Sequence, residues 1–214
     1  MGATWEAWKA RMETLPEDRC SFEKWLFLQV AGVLFAGKAG ELLTLGVGPC
    51  RWELRRQIDR AQALAHAWGC SFAELTREEC CARVVIYAPA AVRKALSETP
   101  PWVFEKIGYA GNLDGEAFLA EVGRRWQQSG RIPHEVGLAL GYPVKDVLGF
   151  MGLVSLPGAG GCGWRIFGDP GPSLRRSRRY ALARERAVAF LGDAGRKTTE
   201  RAFRPAPSMV RVAT

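Results

Sequence analysis

The chain has 214 residues, enough to bury a sizeable core, and its 48% hydrophobic and 24% charged residues are those of an ordinary globular protein. Its longest apolar run, Trp25 to Phe35, is broken by Gln29 and followed by Lys38, too short to span a membrane and suited to a buried helix. The formal charge of +8 is not spread evenly: residues 171–214 carry eleven Lys or Arg against three Asp or Glu, whereas residues 1–170 carry nineteen of each. The body is electrically balanced, and all of the basic excess, a candidate footprint for nucleic acid or an anionic surface, belongs to the C-terminal segment.

The first twenty residues alternate charges with tryptophans and hold no apolar signal core, so no export signal is expected and the cytoplasm is the expected location. Trp5, Trp8 and Met12 lie at spacings of three and four and predict a short amphipathic helix. Ser21 is a candidate N-cap for the helix SFEKWLFLQVAGVLFAG, with Glu23 complementing its first turn and Gly37 or Gly40 ending it. LLTLGVG reads as a strand. CRWELRRQIDRAQALAHAWG reads as a long helix closed by Gly69, with His66 a structural residue inside it.

SFAEL and ARVVIYA have strand character and are separated by the polar TREECC, so a hairpin is predicted. Pro89 starts a helix that the prolines at 100 and 101 break. Asp114 can cap GEAFLAEVGRRWQQ, with Phe118, Leu119, Val122 and Trp126 facing inward. After the stretch RIPHEVGLALGYPVKDVLGF, a glycine-rich turn, LPGAGG, leads into a last strand, CGWRIFG.

Helices dominate, and about four strands are scattered rather than alternating with them, so the expected class is α+β: one helix-rich domain over 1–170. Leu174, Tyr180, Leu182, Val188, Phe190 and Leu191 predict a basic helix over 171–193, packed by one edge, and 194–214 are expected to form a mobile basic tail. Arg175, Arg176, Arg178 and Arg179 would supply contacts to nucleic acid or another anionic surface; a solvated extension is the simpler reading. The six cysteines include no C-x-x-C pair, and reduced thiols are expected. Metal ligation would require Cys70, Cys80 and Cys81 to converge.

Several blocks resemble the bacterial domain-of-unknown-function family 3793: SFEKWLFLQVAGVLFAGKAGELLTL, ARVVIYAPAAVRKAL, KIGYAGN, PHEVGLALGYPVKDVLGF and GWRIFGD. The resemblance covers roughly residues 20 to 190, and the fourth block, similar to a Pro-His-Glu through Gly-Tyr-Pro to Asp-Val motif, is the most specific. It departs from the family where Ala39, not proline, follows Lys38, and where the last strand carries Arg165 and Phe167. What the resemblance implies is an intracellular protein of anaerobic bacteria with no established activity; a link to iron or redox physiology, with an iron-related ligand, is a further expectation.

The most patterned stretch admits three readings. In the first, Pro133 opens a helix, Glu135 complements its positive end, Gly141 stops it in a left-handed conformation and Pro143 starts a second helix, giving a structural corner. In the second, residues 133–151 imitate a helix-turn-helix, although Val144, Lys145 and Asp146 offer no Arg, Asn or Gln to a base edge. In the third, His134 and Glu135 begin a site. Adjacent helical side chains diverge by about 100 degrees, so one metal would not be gripped by both. Convergence would need Tyr142, Asp146, Cys162 or Lys38. No hydrolase elbow, zinc-helix, P-loop or dinucleotide fingerprint occurs. The leading expectation is a noncatalytic cytoplasmic binding or accessory protein whose partner is open, with nucleic acid or an anionic surface through the C-terminal tail, or a protein, as candidates. A nucleic-acid binder using the corner and tail, or an enzyme with His134 as acid or base, is the alternative.

Overall fold

The computed structural model describes residues 2–46, 52–109 and 113–192; the expected tail over 194–214 and Cys50 lie outside them. In chain order the elements are α1 (Gly2–Glu13), α2 (Glu17–Gln29), α3 (Ala31–Ala36), β1 (Gly40–Leu45), α4 (Leu54–Ala67), β2 (Ser71–Arg77) and β3 (Ala82–Tyr87). They continue with α5 (Pro89–Ser97), α6 (Pro101–Lys106), α7 (Gly115–Ser129), α8 (Val136–Ala139), α9 (Val144–Phe150), β4 (Gly158–Gly161), β5 (Arg165–Phe167) and α10 (Gly171–Leu191).

Strand β3 organises the molecule. It lies between β1 and β2, antiparallel to both, with Val85 opposite Leu42 on one side and Ala73 on the other. Successive side chains of a strand point to opposite faces. Ala82, Val84 and Ile86 therefore join one apolar cluster, and Val85 and Tyr87 join a second. Both faces are covered, which is why ARVVIY is apolar at almost every position. The first layer contains α1 to α4 and α10; the second contains α5 and α7 to α9.

The α+β class matches the sequence expectation, as do the β2–β3 hairpin and the helix starting at Pro89. Asp114 caps α7 by accepting from the Ala117 amide at 2.8 Å. Three details differ. The helix expected to start after Ser21 begins at Glu17, behind Pro16, and breaks at Val30 into α2 and α3. Among the described residues five strands are present rather than about four, because GAGG forms one strand of a hairpin: Gly158 and Gly161 pair with Phe167 and Arg165. Backbone pairing alone makes β4, and its four residues are exposed, so no apolar pattern announces it. The basic helix α10 does pack by one edge, but the edge is small: Ser173, Ala183, Ala187 and Leu191 are buried, while Leu174 and Leu182 are 51% and 44% exposed. Small residues let α10 lie close against α3.

Candidate functional site

The corner keeps the left-handed Gly141 and the Pro143 start that its sequence suggests, but its first helix begins at Val136 rather than Pro133, and the Glu135 side chain does not cap it. Helix α8 is a single turn, and Gly141 ends it at φ +74°. A Cβ there would lie 2.9 Å from the Ala39 amide nitrogen, so the position requires glycine for space as well as conformation. The Gly141 carbonyl accepts from Arg176 at 2.7 Å and from the Tyr180 hydroxyl at 3.1 Å, both on α10. Arg176 is thus engaged within the chain, whereas Arg175, Arg178 and Arg179 are exposed.

Beyond the corner, Pro143 opens α9 and Asp146 points into the protein, where it is 2% exposed. One carboxylate oxygen accepts from Lys145 Nζ at 2.5 Å and the Phe167 amide at 2.9 Å; the other accepts from Trp164 Nε1 at 2.8 Å and Ser173 Oγ at 2.6 Å. Lys145 also reaches the Phe167 carbonyl at 2.6 Å and Ser173 Oγ at 3.1 Å. Burial by itself would raise the Asp146 carboxyl, but these donors outweigh it and hold it below its ordinary value. One side chain thereby joins α9, β5 and the start of α10.

Next to this cluster, Tyr142 stacks on Trp164 with ring centres 4.7 Å apart, and Tyr180 lies 6.3 Å from Trp164. Lys38 Nζ lies 5.9 Å and 5.4 Å from the Tyr142 and Tyr180 ring centres and donates to Glu41 at 2.7 Å. Burial favours a neutral Lys38; Glu41, with smaller help from the two tyrosines, reverses this and keeps it a cation. Burial also raises the Tyr142 hydroxyl, partly offset by Lys38. Cys162 contacts the Ser173 carbonyl at 3.8 Å, and burial pushes its thiol up, away from the reactive thiolate form. The chain from Lys38 through Tyr142, Trp164, Asp146 and Ser173 to Cys162 is therefore continuous.

His134 and Glu135 part company. Glu135 is buried and accepts from the Tyr109 hydroxyl at 3.1 Å, with Arg125 at 3.6 Å. The Arg125 guanidinium covers the Tyr109 ring at 3.9 Å and donates to the carbonyls of Ile107 and Gly108. Glu135 is thus a structural anchor for the 107–109 turn. His134 is exposed and meets the edge of Phe150, with ring centres 4.7 Å apart. The other histidine, His66, lies exposed on α4.

Between the corner and the β4–β5 hairpin is a cavity of about 180 Å³. Leu42, Val136, Leu140 and Val147 provide aliphatic lining, Tyr142, Phe150 and Trp164 provide aromatic lining, and His134, Asp146 and Arg165 contribute the ionisable groups. Three sequence candidates, His134, Tyr142 and Asp146, meet at this cavity. Glu135, Lys38 and Cys162 are not among its lining residues. Sequence reasoning missed Trp164, Arg165, Lys145 and Ser173. A tryptophan and an arginine on a short strand after a glycine turn were the available signal. Among the described residues, no group of three or more His, Cys, Asp or Glu is placed to hold a metal ion, Cys70, Cys80 and Cys81 included.

No described helix is long and apolar enough to cross a membrane. No curated protein and no solved structure matches the chain. Residues 26–199 match the model of a family described as a protein of unknown function, number 3793. That span takes in the corner, the Asp146 cluster and the whole cavity lining, and the chain belongs to this domain-of-unknown-function family.

Proposed function

We propose that the chain is a noncatalytic, cytoplasmic binding protein that takes a small, largely apolar ligand in the cavity beneath the α8–α9 corner. The observation that carries this reading is the cavity itself, about 180 Å³ with mainly aliphatic and aromatic walls. An apolar cavity of roughly 150 Å³ accommodates one benzene ring, so a single ring or short branched chain fits here. The free thiols at Cys20, Cys70, Cys80, Cys81 and Cys162 support a reducing compartment.

The acid–base alternative is less well supported. General acid–base work beside His134 requires a partner with a free lone pair or proton within reach. Four donors already occupy Asp146, and Glu135 is held by Arg125 and Tyr109. The base-reading alternative has a geometric difficulty. No residue of α9 is exposed, and the helix packs against β5, whereas a recognition helix must present side chains to a groove.

Toluene is a suitable probe of the cavity, followed by saturation-transfer NMR on the full chain. Transfer from protein to toluene is expected in the wild type. It should be lost in Leu42→Phe, which adds bulk to the wall from a half-buried position on β1. Absence of transfer in the wild type, or equal transfer in the variant, would reject the cavity as a binding site.

A further inference from the structure

Resting on the cavity reading, we infer that the ligand is a compact organic anion: one apolar ring or branched chain bearing a single carboxylate, held by Arg165 and His134. Beside the Tyr142 hydroxyl, whose titration burial raises, the acidic and basic groups of the lining separate into one that is spent and two that are open. Asp146 is spent, because an ionised carboxylate has about four acceptor sites and Lys145, the Phe167 amide, Trp164 and Ser173 supply four donors. It leaves no acceptor to recognise an ammonium group. The Trp164 N–H is consumed by the same contact, so Trp164 offers a ligand its ring.

The neighbouring lysines add no open charge either. Lys145 is neutralised by Asp146, and Lys38 by Glu41. Arg165 differs from both. It is exposed at the start of β5, lines the cavity, and forms no ion pair among the described residues. His134 is likewise exposed and meets the edge of Phe150. Its ring nitrogens are therefore open to a ligand. The cavity thus combines a largely apolar interior with a guanidinium and an imidazole as its open basic groups. A guanidinium recognises a carboxylate through paired N–H donors, and an imidazole N–H adds a third. A cationic ligand would meet repulsion from Arg165 and find no free carboxylate among the lining residues.

Three single-ring probes separate the possibilities: benzoate, benzyl alcohol and benzylamine, titrated calorimetrically against the full chain, Arg165→Gln and Leu42→Phe. Benzoate is expected to bind at least about tenfold more tightly than benzyl alcohol, a difference of about 1.4 kcal/mol, and benzylamine most weakly. Arg165→Gln should bring benzoate to the level of benzyl alcohol without moving the latter, and added salt should weaken benzoate alone. An unchanged urea midpoint for Arg165→Gln, expected of an exposed side chain, excludes unfolding as the cause. Equal affinity for benzoate and benzyl alcohol in the wild type, or no benzoate loss in Arg165→Gln, would overturn the anion inference and leave the cavity reading standing. No binding of any of the three would remove both.

Discussion

The two layers flanking the sheet are held by the same device and filled in opposite ways. Each contains a buried carboxylate that ties elements together, Glu23 in the first and Asp146, besides Glu135, in the second. In the first layer Glu23, fully buried, accepts from Trp8 on α1 at 2.9 Å, from Arg60 on α4 at 2.8 Å and from Arg19 at 3.4 Å. In the second, Asp146 gathers Lys145, Phe167, Trp164 and Ser173. The space around Glu23 is filled by rings: Phe27 alone packs against Trp5, Trp8, Phe35, Trp68 and Phe190. The space beside Asp146 is bounded by one-turn and two-turn helices, too short to carry a continuous apolar ridge, and it retains the 180 Å³ cavity. Stability and a cavity coexist because the rings packed around Phe27 fill the first layer, while the second keeps its own core around Phe118 and Val85 beside the cavity.

Removing either carboxylate should produce the largest effects and test whether the two clusters are equivalent. Deleting one partner of a buried ionic cluster strands the others without their acceptor. Glu23→Ala and Asp146→Ala are each expected to lose roughly 3 kcal/mol in urea denaturation, the lower end for buried pairs, because Arg60 and Lys145 keep some solvent. They should then differ in function. Glu23→Ala is expected to keep toluene transfer under folding conditions, whereas Asp146→Ala releases Trp164 from the cavity wall and should weaken it. A Glu23→Ala protein that stayed as stable as the wild type would break the equivalence.

Neither cluster was visible in the sequence, although much of the surrounding fold was. The hairpin, the Asp114 cap and the left-handed Gly141 follow from residues within a few positions of one another, and local patterns carry such information. Glu23 looked like a solvated first-turn charge, yet its partners Trp8 and Arg60 are 15 and 37 positions away. Glu135 looked like a complement to a helix end, and its partner Tyr109 is 26 positions away. Asp146 was a candidate for convergence, but its partners Trp164 and Ser173 were unnamed, because nothing local couples a short strand to the start of a distant helix. On α10 the larger apolar side chains drew attention, and of these Leu191 is buried and Phe190 packs on Phe27, but Ser173, Ala183 and Ala187 share the contact. Close packing selects small residues that a hydrophobicity pattern underweights.

Acid titration separates the clusters by a smaller effect. The folded-state value of Asp146 lies below its ordinary 3.8, so the unfolded chain takes up this proton first as pH falls. The contribution is intact above 3.8 and drains as pH drops from there through the lowered folded-state value. Urea midpoints measured down this range should fall more steeply in the wild type than in Asp146→Asn. Glu121, held down to about 2 by Arg124 and Arg125, titrates in both proteins and cancels in the difference. Identical acid slopes would mean that Asp146 is not held in its ionised form by the fold.

The smallest expected effect concerns how helix ends are secured in the two layers. Helix α4 of the first layer begins at Glu53, whose side chain accepts no helix amide, so its position depends on the buried face that includes Ile58, Ala61 and Leu64. Helix α7 of the second layer begins at Asp114, whose carboxylate satisfies the Ala117 amide at 2.8 Å. Replacing an N-cap that accepts such a bond costs about 1 kcal/mol. Asp114→Ala should therefore lower stability by about that amount in urea denaturation, while Glu53→Ala should change it by less than roughly 0.5 kcal/mol, as for other exposed substitutions. Equal losses in the two variants would show that local capping does not distinguish the layers. A loss confined to Asp114→Ala would show that the layer with the cavity depends more on local backbone satisfaction than the layer packed with rings.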